Sequence, residues 1–106
     1  MSRGDIVRFL PPPRSGHEQQ GPRFGVVLQS DVLAPLSTVL VAPTSQSALA
    51  ATFRPQVTIG SQLTRVLIEQ MAAVDVRRTS EAVGRLSVEE MWAVDDALSL
   101  VVGLHF

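Results

Sequence analysis

His17, Glu18, Gln19, Gln20 and Arg23 fall in or beside the loop over residues 14 to 22, directly ahead of the apolar run GVVL. A connection that only has to turn the chain needs Gly, Ser, Asn or Asp. This one adds a carboxylate and an imidazole that can carry a proton, amides that can hydrogen-bond bases, and a guanidinium suited to a phosphate gaining charge in a transition state. Thr44, Ser45 and Gln46 form a second polar group just past Pro43. A hydroxyl there can bond a phosphoryl oxygen, and the same residues also serve to close an ST-turn. Glu69 and Gln70 make a third group at the end of the run TRVLI. Each group taken alone is equally what a solvated loop or strand end offers, so the chemistry depends on which elements hold them together.

Length sets the first bound on those elements. At 106 residues the chain has room for one domain with one core, expected to span 1–106. With 45% hydrophobic and 18% charged residues it lies far from the composition of disordered chains and should fold. No apolar run approaches the ~20 residues needed to cross a bilayer, and MSRGDIVRFLPPP lacks a signal-peptide core, so a cytoplasmic location without membrane contact is expected. The absence of cysteine removes disulfides, thiolate catalysis and Cys-based zinc sites. His17 and His105 show no ligand spacing, and neither a metal nor a cofactor is expected.

The formal net charge of -1 argues against attachment to nucleic acid by bulk electrostatics. Its distribution is uneven. Residues 1–65 carry six Arg against three acids, and residues 66–106 carry three Arg against seven, so the first part is at +3 and the tail at -4. The first part is the one suited to a polyanion. All nine basic residues are Arg, which favours bidentate phosphate recognition but is also what a compositional bias produces.

The apolar pattern predicts strands over 4–10, 23–30, 38–42, 56–59 and 64–70, with 72–76 continuing or pairing again and a short strand at 82–86. Pro43 is expected to end the third. Val66, Leu67 and Ile68 give the fifth a two-sided apolar centre, and alternation sets Glu69 and Gln70 on opposite faces. Ser87 and Glu90 form a capping-box pattern ahead of one amphipathic helix. Its stripe of Met91, Val94, Leu98 and Val101, widened by Val88, Trp92 and Val102, is expected to be core, with a subunit interface the alternative for Trp92. Gly103 supplies the stop. Strands first and a helix last make an α+β domain in which a curled antiparallel sheet, close to a small barrel, is covered by the terminal helix.

The blocks RGDIV, GHEQQGPR leading into VVL, VAPTSQ, LIEQMAAVDVRR and the capped helix closing in VGL occur in that order over nearly the whole chain. As a series they resemble the MazF/PemK family of toxin endoribonucleases. The resemblance implies a small SH3-like barrel with a helix, working as a homodimer. It implies sequence-selective, metal-independent cleavage of single-stranded RNA, held in check by a cognate antitoxin protein. The family's arginine at the loop–strand junction and threonine after the third strand fall on Arg23 and Thr44. Arginine is a poor proton acceptor, so proton transfer is assigned to the matched Glu18, with His17 as the other candidate. His17, Gln19, Gln20, Ser45, Gln46 and Gln70 are the candidates for RNA contact. Many relatives have a small residue in place of His17 and a proline in place of Phe24. Two rival readings stay open: a toxin of the same barrel that binds and poisons DNA gyrase without cutting anything, and an inactive RNA-binding domain.

Overall fold

Side chains alternate between the two faces of a strand, and in the middle of this chain both sets are apolar. The computed structural model, which describes residues 1–10, 22–33 and 36–104, shows why. β1 (Asp5–Phe9), β2 (Arg23–Val27) and β3 (Thr38–Ser45) are antiparallel neighbours covered on both sides. One face carries Val7, Phe9, Val27, Val39 and Val41, which pack with Val74 and Val76. The other carries Ile6, Val26, Leu28 and Ala42, which pack with Val57, Val66, Ile68, Leu86, Val94 and Ala97.

The remaining strands are β4 (Gln56–Ile59), β5 (Gln62–Val66), β6 (Ala72–Asp75) and β7 (Gly84–Arg85), in the order β4-β5-β3-β2-β1-β7 with β6 also on β3. A 3-10 turn over Val76–Arg78 carries the chain from β6 across to the edge of β1 that β7 pairs only at Asp5 and Ile6. There Thr79 bridges Phe9, the Leu10 N–H donates to the Arg78 carbonyl at 3.1 Å, and the Ser80 N–H donates to the Arg8 carbonyl at 2.8 Å. The ring β1–β2–β3–β6 is thereby nearly closed around the valine-rich core, and closure removes exposed edges. Asp75 caps the turn: the side chain and N–H of Arg77 hold its carboxyl down at about 2.

Several strand boundaries differ from expectation: β2 stops at Val27 rather than at residue 30, and β5 starts at Gln62 rather than at residue 64. β3 runs through Pro43 to Ser45 instead of stopping at residue 42. Along one edge β3 pairs with β6 through Val41 and then with β5 from Thr44. Pro43 sits at that hand-over, where its carbonyl accepts from the Leu67 N–H at 2.8 Å and no partner calls for the N–H it lacks. The fifth strand ends at Val66, and residues Ile68–Gln70 form a 3-10 turn. Leu67 and Ile68 are 5% and 0% exposed, and Ile68 packs in the core that holds Val94 and Ala97 of the helix, so the apolarity of this pair marked burial rather than continued extension.

The helix, α1 (Val88–Val101), starts at the predicted capping box: Ser87 Oγ accepts from the Glu90 N–H and Glu90 accepts from the Ser87 N–H. Its core face is Val94 and Ala97 with Met91, Leu98 and Val101 packed around them. Val88, Trp92 and Val102 lie outside that stripe, and Trp92 is 63% exposed. One stripe suffices because the helix covers a single sheet face, and the residues that widened it point to solvent.

Glu90 also accepts from the Thr58 N–H of β4 at 2.8 Å, tying the helix start to the sheet. Burial alone would raise its carboxyl; the bonds from the N–H groups of Ser87 and Thr58 and from the Ser87 hydroxyl outweigh that and hold it below its usual range. A depressed carboxylate contributes stability above its unfolded pKa, near 4.3, and the contribution is lost as pH falls through the lower folded value. Thermal unfolding should therefore show an acid-side loss of stability that Glu90→Gln diminishes, and Ser87→Ala should cost about 0.5–2 kcal/mol at neutral pH. An acid limb of the same size in Glu90→Gln would refute the coupling.

Candidate active site

The sheet gathers polar residues where β2 begins and β3 ends. Gly25 opposes Pro43, and continuing that register toward the strand ends sets Phe24 level with Thr44 and Arg23 level with Ser45. Thr44 is 9% exposed, and its hydroxyl donates to the Phe24 carbonyl at 3.0 Å. That bond fixes the backbone next to Arg23. On the other side of β2, Arg23 opposes Phe9 and Phe24 opposes Arg8. Arg23 is half-buried.

Beyond β3 the row continues. Ser45 pairs with Arg65 of β5, which pairs with Gln56 of β4. Directly opposed residues share a face, so Arg23, Ser45, Arg65 and Gln56 stand on one face of the sheet, opposite to that of Thr44 and Phe24. Ser45 Oγ accepts from the Ser47 N–H at 3.3 Å and meets the Ser47 hydroxyl at the same distance, and Gln46 is exposed.

Charge balance distinguishes these arginines from the rest. Arg3 pairs with Asp95, Arg54 with Glu69, Arg77 with Asp75 and Arg85 with Asp5. Arg8, Arg23 and Arg65 have no carboxylate partner among the described residues, and all three lie at this end of the sheet. Unneutralised guanidinium groups on β1, β2 and β5, with Arg23 and Arg65 on one face and Arg8 on the other, give this end of the sheet a positive field suited to a polyanion.

Of the sequence-derived candidates, Arg23, Thr44, Ser45 and Gln46 come together here. His17, Glu18, Gln19 and Gln20 lie outside the described residues. Gln70 is exposed on the 3-10 turn, in the segment between Val66, opposite Thr44, and Ala72, opposite Val41; it stands beside the middle of β3 rather than its end. Glu69 braces a loop: its Oε2 accepts from Arg54 Nε at 2.9 Å and Nη2 at 2.7 Å, while Arg54 Nη1 donates to the Leu49 carbonyl. Sequence reasoning overlooked Arg8 and Arg65 as site residues. The only trace of either was a charge inside an apolar strand, IVRF and LTRV. Among the described residues no cluster of three His, Asp or Glu has metal-holding geometry, and no helix is long and apolar enough to cross a membrane.

Residues 2–102 match the family described as PemK-like, MazF-like toxin of type II toxin-antitoxin system. The chain belongs to this family. It is 35% identical over 104 residues to a Mycobacterium tuberculosis H37Rv protein that carries a toxin name, covering 96% of this chain and 97% of that one. It is 32% identical over 112 residues to the endoribonuclease MazF of Staphylococcus epidermidis, covering 99% and 93%. Among solved structures, a mycobacterial endoribonuclease in complex with its cognate antitoxin superposes with a TM-score of 0.82 at 12% identity, covering 100% of this chain and 98% of that one, a likeness of fold. In this MazF-like chain the Arg8 guanidinium stands 5.5 Å from the centre of the Phe24 ring, within cation–π range.

Proposed function

We propose that this MazF-like toxin is an endoribonuclease that cuts single-stranded RNA at selected sequences, by attack of a ribose 2'-hydroxyl on the adjacent phosphate and without a metal ion. The observation that carries the reading is Arg23: a half-buried guanidinium without a carboxylate partner among the described residues, on backbone held by Thr44. In this reaction the 2'-oxygen bonds to phosphorus, its proton passes to a base, and the phosphorus–O5' bond breaks as the leaving oxygen takes a proton. The products are a 2',3'-cyclic phosphate and a 5'-hydroxyl. Charge builds on the non-bridging oxygens, and preorganised donors stabilise that charge most. Arg23 supplies them.

Thr44 positions Arg23 through the Phe24 carbonyl. Glu18 is the proposed proton carrier, with His17 beside it as the alternative. Gln19, Gln20, Ser45 and Gln46 read base edges, with Gln70 further along. The deciding experiment incubates the purified protein in EDTA with a long single-stranded RNA and its DNA counterpart. Discrete RNA fragments ending in cyclic or 3'-phosphate, with intact DNA, are the expected result. Intact RNA would refute the reading and favour a non-catalytic toxin, testable by gyrase capture.

A cognate antitoxin is the proposed regulator, and a homodimer the proposed assembly. Val88 and Trp92, one turn apart on α1, are exposed apolar residues that such contacts can cover. An acidic antitoxin segment lying on the Arg23 face would compete with RNA by charge mimicry. Raising salt from 50 to 500 mM should then weaken inhibition, as screening lengths shorten; salt-independent inhibition would count against this mode.

A further inference from the structure

We propose that Arg65 is a second phosphate-binding residue of the RNA site, holding the backbone next to the phosphate engaged by Arg23. The proposal rests on the ribonuclease reading above and extends the site from β2 to β5.

Three observations support it. Arg23, Ser45 and Arg65 stand in one cross-strand row, Arg65 directly opposite Ser45. Two strand spacings separate the two arginine backbones, about 10 Å, a gap that two long side chains can close onto neighbouring phosphates of an extended strand. Second, Arg65 is held without being neutralised. Its Nη1 donates to the Arg54 carbonyl at 2.8 Å, and no carboxylate among the described residues pairs with it. The nearby acid, Glu69, is instead taken by the side chain of Arg54. A guanidinium has five donors; a carbonyl tether on one of them fixes the group's direction and leaves its charge and its other donors for a ligand. Third, Arg65 is only half-buried, so a ligand can reach its guanidinium from solvent.

The ligand class follows from this placement. A fixed fork offered on an open sheet face suits a phosphate diester, which accepts two parallel hydrogen bonds. Ser45, between the two arginines, offers a hydroxyl to the sugar or base joining the two phosphates. The direction of the strand across β2, β3 and β5 is thereby set, with the loop over residues 46 to 55 along its path.

The test compares wild type, Arg65→Ala, Arg65→Lys and Arg23→Ala by fluorescence anisotropy with a labelled 2'-O-methyl oligonucleotide, which lacks the attacking hydroxyl, across a salt series. Cleavage of unmodified RNA is followed in parallel. Neutralising one phosphate of a single strand contributes about 0.7 to the slope of log K against log salt. Arg65→Ala should lose about that much slope and raise KM with kcat little changed, and Arg65→Lys should restore the slope, since it keeps the charge. Arg23→Ala should lower kcat. A merely structural role for Arg65 would leave the slope unchanged, or lower it equally in Arg65→Lys together with the melting temperature; either result overturns the proposal while leaving the ribonuclease reading in place. Wild-type protein that neither cuts RNA nor binds the oligonucleotide overturns both.

Discussion

Arg23→Ala is expected to lower kcat for RNA cleavage by about 10²–10³-fold while leaving the melting temperature within a degree or two of wild type. The magnitude is what loss of one preorganised donor to a developing oxyanion costs in enzymes generally. The expectation that stability is spared comes from the structure. Arg23 is the first residue of β2, half-buried, with no ion pair or side-chain hydrogen bond among the described residues, so truncation leaves no buried partner unsatisfied. Arg23→Lys should recover part of the rate, because it restores charge but not the planar fork. The measurement is single-turnover cleavage of an RNA carrying one mapped site, with circular dichroism melts of each variant. A rate within threefold of wild type for Arg23→Ala would remove Arg23 from the chemistry.

Gly25→Ala is expected to destabilise the protein by about 1–3 kcal/mol, the range for forcing an extra methyl into a packed core. A Cβ on Gly25 would lie 2.5 Å from Cγ1 of Val41 and 2.7 Å from Cε1 of Phe9, closer than carbon atoms pack. Neither neighbour can yield easily, since Phe9 is 4% and Val41 1% exposed inside the ring β1–β2–β3–β6. For a domain of this size the cost should appear as a fall in melting temperature of roughly 4–8 °C per kcal/mol. Because Phe9 opposes Arg23 across β1 and β2, the displacement should reach the site and lower cleavage as well. Denaturant melts of Gly25→Ala, Phe9→Leu and the double variant close a thermodynamic cycle: the clash predicts that the double variant is more stable than the sum of the single effects. Strict additivity would show that the extra methyl is accommodated elsewhere.

The two arguments differ in how far they were visible in the amino-acid order. Periodicity placed β1, β2, β4 and α1 to within a few residues, and the Ser87–Glu90 box marked the helix start, because these signals are local: strand alternation, helical spacing and a cap that bonds within one turn. The family blocks pointed to Arg23 and Thr44 in the same way. Only the fold showed that Pro43 lies inside β3 and that Leu67 and Ile68 turn inward, since burial by a distant element produces the same apolar run as a strand. Trp92 read as core for the complementary reason: helical spacing defines a face, but which face meets the sheet is set by packing. Gly25 carried no local sign of the Phe9 ring beside it, and Arg65 none of its place opposite Ser45.

The amino-acid order by itself determined an antiparallel sheet with a capped terminal helix, the excess of arginine over acids in residues 1–65, and the Arg23 and Thr44 positions. Tertiary structure alone decided which arginines stay unneutralised and which share a face. Ion pairing and cross-strand register join residues far apart in the chain, as Arg3 with Asp95 and Ser45 with Arg65 do, and no period within one segment encodes such a partner.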